Sequence, residues 1–303
     1  MKKQEPLFGI DLGGTKIEGI VLPFRGSTEP ISRLRLPTES AKGYDHILQQ
    51  IKKLTSMLET DSGFKASRIG ICTPGTSDPK SGLQKNSNTT CLNGKPFLRD
   101  LEKSLGLTVS MANDANCFAL AEATLGIVKE KMPEASVVFG IIMGTGVGGG
   151  LVFDGKVWNG AHGIAGEWGH NFLDESGGPC YCGKSGCVEN ILSGPALERY
   201  YAAESGTIKG LKDIVNAAGQ STDPIADRTM DRMVHFFGKA VACLINILDP
   251  DAIVIGGGVG NVDELYTRGV KEAEKYLFNP RLETAFFKPK LGDSAGVFGA
   301  AML

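Results

Sequence analysis

Residues 167–189 hold the densest chemistry in the chain. They read Glu167-Trp168-Gly169-His170, a polar loop, Cys180-Tyr181-Cys182, then Gly183-Lys184-Ser185-Gly186-Cys187-Val188-Glu189. His170, Cys180, Cys182 and Cys187 form the soft donor set that tetrahedral Zn²⁺ favours, and the two glycines before the last thiol permit turns that aim sulfur inward. Three buried free cysteines beside an unrelated histidine is the plainer alternative. This run, however, is polar and Gly-rich, with no apolar period to bury its sulfurs. Four protein ligands close the shell, so the metal would be structural, whereas a catalytic zinc keeps one position for water. Two carboxylates bracket it. Glu167 precedes His170 by three residues and shares its face if both lie on one turn, and Glu189 follows Cys187 by two. A pinned loop would hold both carboxylates and one imidazole edge around a small volume; otherwise they are solvated loop charges.

Two glycine-tipped hairpins are expected to stand with this loop. In the first, Gly9, Asp11, Gly13-Gly14, Thr15 and Lys16 lie between the apolar run 7–10 and the strand-like run 17–22. The spacing mimics a Walker A loop, but the terminal pair is reversed and a strand follows instead of a helix. Backbone N–H groups at a glycine tip can approach phosphate oxygens, Thr15 and Lys16 add donors, and Asp11 could hold Mg²⁺ through water. Alone, this would be an ordinary Gly-Gly turn. A second copy argues otherwise: Phe8 aligns with Phe139 through Leu22 with Phe153, at a constant offset of 131 positions. The copy carries Gly144, Thr145, Gly146, Gly148, Gly149 and Gly150, and its G-x-G-x-x-G lacks the following helix of a dinucleotide fingerprint. Two such tips facing a cleft would suit a polyphosphate.

The elements between alternate. Apolar residues at 47, 48, 51, 54 and 58 predict a helix over 44–58, and 69–72 reads as a strand. Residues 86–93 are a polar loop, 97–105 return to helical spacing, and a strand over 109–111 runs into Asn113-Asp114 before a helix over 117–125. A strand ending in Asn-Asp at a helix start commonly presents functional groups, although Asn113 could be only an N-cap. Further on come a helix over 225–248 with Met230, Met233, Phe237, Leu244 and Leu248 on its face, a strand over 252–255, Gly256-Gly257-Gly258, a helix over 262–277 and a small-residue helix over 295–302. Glycines between strand and helix admit a flat ligand or a phosphate.

With 303 residues, 42% of them hydrophobic, about two domains with sizeable cores are expected. A net charge of -2 offers no basic field to nucleic acid or an anionic membrane. No signal peptide or membrane-spanning run is visible, which predicts a cytoplasmic protein. Among seven cysteines, Cys72, Cys91, Cys117 and Cys243 are scattered, which fits reduced thiols better than disulfides.

The 9–16 segment, Asn113-Asp114, the 144–150 segment, Glu167-x-Gly169-His170, the three-cysteine run with Glu189, and Gly256-Gly257-Gly258 together resemble the ROK family of sugar kinases over nearly the whole chain. The resemblance implies an α/β, actin-like (ribonuclease H-like) two-domain ATPase fold with internal duplication and a zinc-bearing loop. On this chain that sets a small N-terminal domain at 1–118, with the tail helix 292–303 packed back on it, and a large C-terminal domain at 119–291 with the zinc loop at 170–187. It implies ATP and Mg²⁺ in the cleft, held by the glycine segments with Asp11, Thr15, Lys16 and Thr145. Transfer of the γ-phosphoryl group to a hexose hydroxyl follows, with Asn113, Asp114, Glu167, His170 and Glu189 on the sugar and Asp114 as base. A homodimer that binds sugar and ATP, and neither nucleic acid nor membrane, is the expected assembly.

Residues 86–97 look most like the manno(fructo)kinase branch, which adds Asn93 to the sugar contacts and makes fructose the expected acceptor, with fructose 6-phosphate as product and mannose as a second substrate. That branch carries a tryptophan near Cys91. The smaller cysteine could leave room for a 2-acetamido group, which makes N-acetylglucosamine kinase the alternative, with glucokinase beside it. ROK repressors carry an N-terminal helix-turn-helix domain; only a handful of residues precede the first strand here, and the slight negative charge does not supply phosphate contacts. A kinase is expected over a regulator or a sugar-binding protein without turnover.

Overall fold

The first sheet grows from the first hairpin. In the computed structural model, which describes residues 5–220 and 222–303 and of Asp293 only the backbone, β1 (Leu7–Leu12) pairs antiparallel with β2 (Lys16–Leu22), setting Asp11 opposite Glu18. The turn between them closes with Gly13 N–H on Lys16 O at 3.0 Å. β3 (Ser32–Pro37) pairs with β2 as an edge strand, and its exposed arginines alternate with leucines that pack on the core. α1 (Tyr44–Ser62) buries Ile47, Ile51, Leu54 and Leu58, the stripe that its spacing dictates, and ends on left-handed Gly63. β4 (Arg68–Thr73) runs parallel to β1. A ribbon of β5 (Thr76–Ser77) and β6 (Gln84–Lys85), then α2 (Phe97–Leu105), lead to β7 (Thr108–Asn113), parallel to β4. α3 (Asp114–Thr124) follows β7 without a loop, and α4 (Ile127–Lys131) comes next.

The second sheet repeats the plan. β8 (Val137–Met143) and β9 (Val147–Phe153) enclose the second glycine turn, and β10 (Lys156–Val157) pairs with β9. The thiol loop precedes α5 (Glu189–Leu192), α6 (Gly194–Ser205), α7 (Leu211–Ala217) and α8 (Pro224–Leu248). β11 (Ala252–Gly256) lies parallel to β8; α9 (Arg268–Glu274), β12 (Ala285–Phe287) and α10 (Ala295–Met302) complete the chain. The strand orders are β3-β2-β1-β4-β7 and β10-β9-β8-β11-β12, so both sheets run third, second, first, fourth, fifth. β2 and β9 span the same residues once the 131-position offset is applied, so the likeness between the hairpins extends to whole sheets.

The chain forms two compact units, one of Met1–Glu134, Gly150–Gly166 and Lys290–Leu303, the other of Ala135–Gly149 and Glu167–Pro289. This division differs from the expected boundary at 118/119, because α3 is held throughout its length within the first unit. α10 packs on α3 as well as on β1 and β4, and the missing side chain of Gly299 admits the backbone of Cys117. The helix expected over 262–277 is also broken. Val262 is extended, with ψ 116°, between two 3-10 turns, so α-helix starts only at Arg268. Gly260 lies against Ile255 O, where a Cβ would fall at 2.6 Å. α8 holds Met230, Met233, Phe237 and Leu244 buried, whereas Leu248 at its end is only half-buried. No helix among the described residues is long and apolar enough to cross a membrane.

Candidate functional site

In the first unit, Asp114 is the opening residue of α3. The helix begins there because Asn113 caps it: its Oδ1 accepts Asn116 N–H at 2.9 Å, which leaves the Asn113 amide NH₂ for other use. Asp114 Oδ1 accepts Ala115 N–H at 2.9 Å. Desolvation by surrounding protein pushes the Asp114 carboxyl above the usual carboxylate range, against the backbone N–H groups of Ala115 and Asp114 itself that favour the ion. The dipole at the start of α3 acts in the same sense as those N–H groups and is outweighed with them. The side chain nevertheless remains open to solvent. Asp11, half-buried at the end of β1, is raised too, first by burial and then by the charges of Asp114 and Glu18, with the Cys72 thiol pulling the other way. A carboxylate in negative surroundings gains most from a nearby cation, so Asp11 fits a Mg²⁺ partner.

The glycines of the first hairpin serve different ends. Gly14 has nothing within 4 Å of where a Cβ would stand, so its backbone is open to a ligand. Gly9, expected on the nucleotide, is instead taken up by packing: a Cβ there would fall 2.5 Å from Ala301 N and 2.6 Å from Val297 O of α10. Thr38 braces the turn, its hydroxyl donating to Gly13 O at 2.6 Å. Asn93, expected on the sugar, has both ends of its amide committed: Oδ1 accepts from Ser87 N–H and Nδ2 donates to Ser87 O, each at 2.9 Å. It closes the 87–93 loop, and a closed amide has little left to offer a ligand. Gly150 is likewise a packing residue, since a side chain there would collide with Ala115 O.

In the second unit, Gly144, Thr145 and Gly146 form the β8–β9 turn. Gly194 N–H donates to Gly144 O at 2.8 Å, and a Cβ on Gly144 would stand 3.8 Å from Gly258 N, so the turn and the Gly256-Gly257-Gly258 loop meet. Gly257, at φ +83°, lies so close to Met143 O that only glycine fits. Gly256 and Gly149 are buried, Gly148 gives its carbonyl to Trp168 Nε1–H at 2.9 Å, and Gly257 and Gly258 are exposed. Gly258 also lines a pocket of about 660 Å³ with Glu198, Leu211, Val215, Asn216, Asn261 and Val262. Its size and mixed lining suit a small ring ligand. The α7 residues were missed in the sequence, where a short helix without a motif carries no signal.

His170 and the three thiols come together, and Glu167 stands at the head of the turn that carries His170. Trp168 packs edge-on against Phe139 at 6.3 Å, and Gly169 lies against Val147 O where any side chain would collide. This pins the 3-10 turn over Trp168–His170, with Glu167 at its N-cap. Glu189 opens α5 and its Oε2 accepts Val147 N–H at 2.9 Å, which ties it to the glycine turn. The ligand atoms of His170, Cys180, Cys182 and Cys187 all lie within 4.8 Å of one another. Gly183 (φ +86°) and Gly186 (φ +73°) make the turns that gather them. Backbone N–H of Lys184 holds the Cys182 thiol below its ordinary pKa, while burial pushes Cys187 up to about 12. One imidazole nitrogen and three sulfurs converging on one point fit a zinc ion. Tyr181, between two of the thiols, has an exposed ring but sets its hydroxyl 3.0 Å from His170 Nε2; desolvation at that hydroxyl end, then the charges of Glu189, Cys180 and Glu167, push the phenol up to about 12.

The sequence model described as the ROK family matches residues 7–303. An N-acetyl-D-glucosamine kinase of Aliivibrio salmonicida is 35% identical over 306 residues, 98% of either chain. The crystal structure of a ROK hexokinase from Thermus thermophilus superposes with a TM-score of 0.86 at 31% identity, covering 98% of this chain and 97% of that one. A ROK family glucokinase from Streptomyces griseus, solved with glucose and AMPPNP, gives 0.73 at 28% identity, covering 98% of both.

Proposed function

This chain belongs to the ROK family and is a sugar kinase, and we propose that it transfers the γ-phosphoryl group of ATP to N-acetylglucosamine. The likeness along its full length to proteins named for that sugar carries this choice of acceptor. Fructose, expected from residues 86–97, has no support among these relatives, and Asn93 is engaged within its own loop. Cys91, near which the manno(fructo)kinase branch carries a tryptophan, packs on the core of the first unit.

In this reading Asp114 is the general base. A sugar hydroxyl is a poor nucleophile, so a carboxylate must orient it and accept its proton as the phosphoryl group moves in line. A carboxyl raised by desolvation is the stronger acceptor once ionised. Asn113 offers the amide that its cap leaves over, and Glu167, His170 and Glu189 orient ring hydroxyls. The open backbone at Gly14, with the Thr15 and Lys16 side chains, offers donors to the phosphates in the first unit, and the pocket beside Gly258 in the second takes the adenosine. Asp11 would hold Mg²⁺ through water, and that ion when bound neutralises charge on the β- and γ-phosphates. Zinc on His170, Cys180, Cys182 and Cys187 would fix the loop that carries the sugar contacts.

The test compares kcat/KM for N-acetylglucosamine, glucose, mannose and fructose with ATP and Mg²⁺. N-acetylglucosamine should rank first; a higher value for fructose would overturn the assignment in favour of fructokinase.

A further inference from the structure

His170 presents two nitrogens to two different surroundings. Nδ1 lies 3.7 Å from Cys180 Sγ, on the side of the converging thiols, and Nε2 lies 3.0 Å from Tyr181 Oη. When Nδ1 ligates a metal, the neutral ring keeps its proton on Nε2, so Nε2–H donates and the phenol oxygen accepts. A ligating histidine usually passes that proton to a carboxylate, a carbonyl or a water. Here the acceptor is a phenol that is 82% exposed. Its ring meets the imidazole edge-on, with centroids 5.2 Å apart at 89°. The backbone on either side is fixed, with Cys180 N–H on Lys184 O at 2.8 Å and Gly183 N–H on Cys180 O at 3.0 Å. The side chain of Tyr181 can therefore rotate away without moving the thiols.

We propose that Tyr181 is a displaceable stand-in for a sugar hydroxyl: it holds the His170 Nε2–H hydrogen bond in the sugar-free protein and yields it when the sugar arrives. This rests on the reading of His170 as a sugar contact. Tyr181 is a competitor for that donor and not a catalytic residue, because it only keeps Nε2–H satisfied until the substrate takes over. The sugar must compete with it, so the phenol lowers sugar affinity while leaving the chemical step alone.

Tyr181→Phe removes only the competing oxygen and keeps the ring. The expected result is sugar bound about 2- to 10-fold more tightly by calorimetry, the worth of one net hydrogen bond, with KM lowered by a similar factor, kcat unchanged and zinc content by elemental analysis equal to wild type. Tyr181→Ala should move affinity in the same direction. Unchanged affinity in Tyr181→Phe overturns the proposal, as does weaker binding, which would make Tyr181 a direct sugar contact, or loss of zinc, which would make it a structural brace. A wild-type protein that phosphorylates no sugar would refute the kinase reading itself, whereas an active wild type with an indifferent Tyr181→Phe refutes only the role of Tyr181.

Discussion

Replacing Asp114 by Asn separates two properties of one carboxylate. An amide oxygen can accept Ala115 N–H as Oδ1 does at 2.9 Å, so the first turn of α3 should survive. What disappears is the proton acceptor. Loss of a general base costs about 10²–10⁴-fold in kcat, or about 3–5 kcal/mol in the barrier. Stability should move the other way. Desolvation raises the folded-state pKa above the unfolded value, so the folded protein binds this proton more tightly than the unfolded chain. The resulting contribution is fully present below the unfolded pKa of about 3.9 and is lost as pH rises through the folded pKa. At pH 7 the ionised Asp114 therefore disfavours folding relative to a neutral isostere. Asp114→Asn should melt at or above the wild-type temperature at neutral pH, and that advantage should shrink on acidification. The acid limb of kcat/KM in the wild type should likewise lie above the range of an ordinary surface aspartate. Steady-state kinetics with N-acetylglucosamine and melting curves across pH test both. A variant that keeps more than about a tenth of wild-type kcat refutes the base assignment and moves the role to Glu167. A lowered melting temperature at pH 7 refutes the desolvation argument.

Glu122, fully buried, accepts Ile127 N–H at 2.9 Å, Lys290 N–H at 3.1 Å and Leu291 N–H at 2.8 Å. Glu122→Ala orphans all three donors and should cost about 3–5 kcal/mol in urea unfolding; a loss under about 1 kcal/mol would show that water replaces the carboxylate. Gly9→Ala should destabilise by about 1–3 kcal/mol, since the α10 backbone must give way. Gly14→Ala should stay within about 0.5 kcal/mol of wild type and raise KM for ATP instead, and equal destabilisation by the two would sink the distinction drawn between them. Cys182→Ser should lose zinc and sugar phosphorylation together, because a structural zinc contributes about 10–16 kcal/mol, comparable to the whole stability of a domain; elemental analysis that finds active wild-type protein without metal would contradict this.

Much of the molecule is written in short-range rules that a sequence displays directly. The α1 stripe, the Gly13-Gly14 and Gly144–Gly146 turns, the Cys-x-Cys run and the placement of Asp114 at a strand–helix junction each depend on residues a few positions apart, where helical period, turn chemistry and donor type leave few options. The repeat of fifteen residues belongs to two sheets that share one strand order. Which residues are already engaged was not legible. Gly9 looked like a phosphate residue until α10, near the other end of the chain, was seen against it. Asn93 looked like a sugar contact until its amide closed on Ser87. Nothing local marks Glu122 as the acceptor for Lys290 and Leu291, or gathers α7 and Gly258 around one pocket. Local sequence sets what a residue can do, through its donors, charge and allowed backbone. Which of those capacities remains free for a ligand is decided by what the tertiary fold brings against it, because a buried polar group or an empty Cβ position is claimed by the nearest packed partner first.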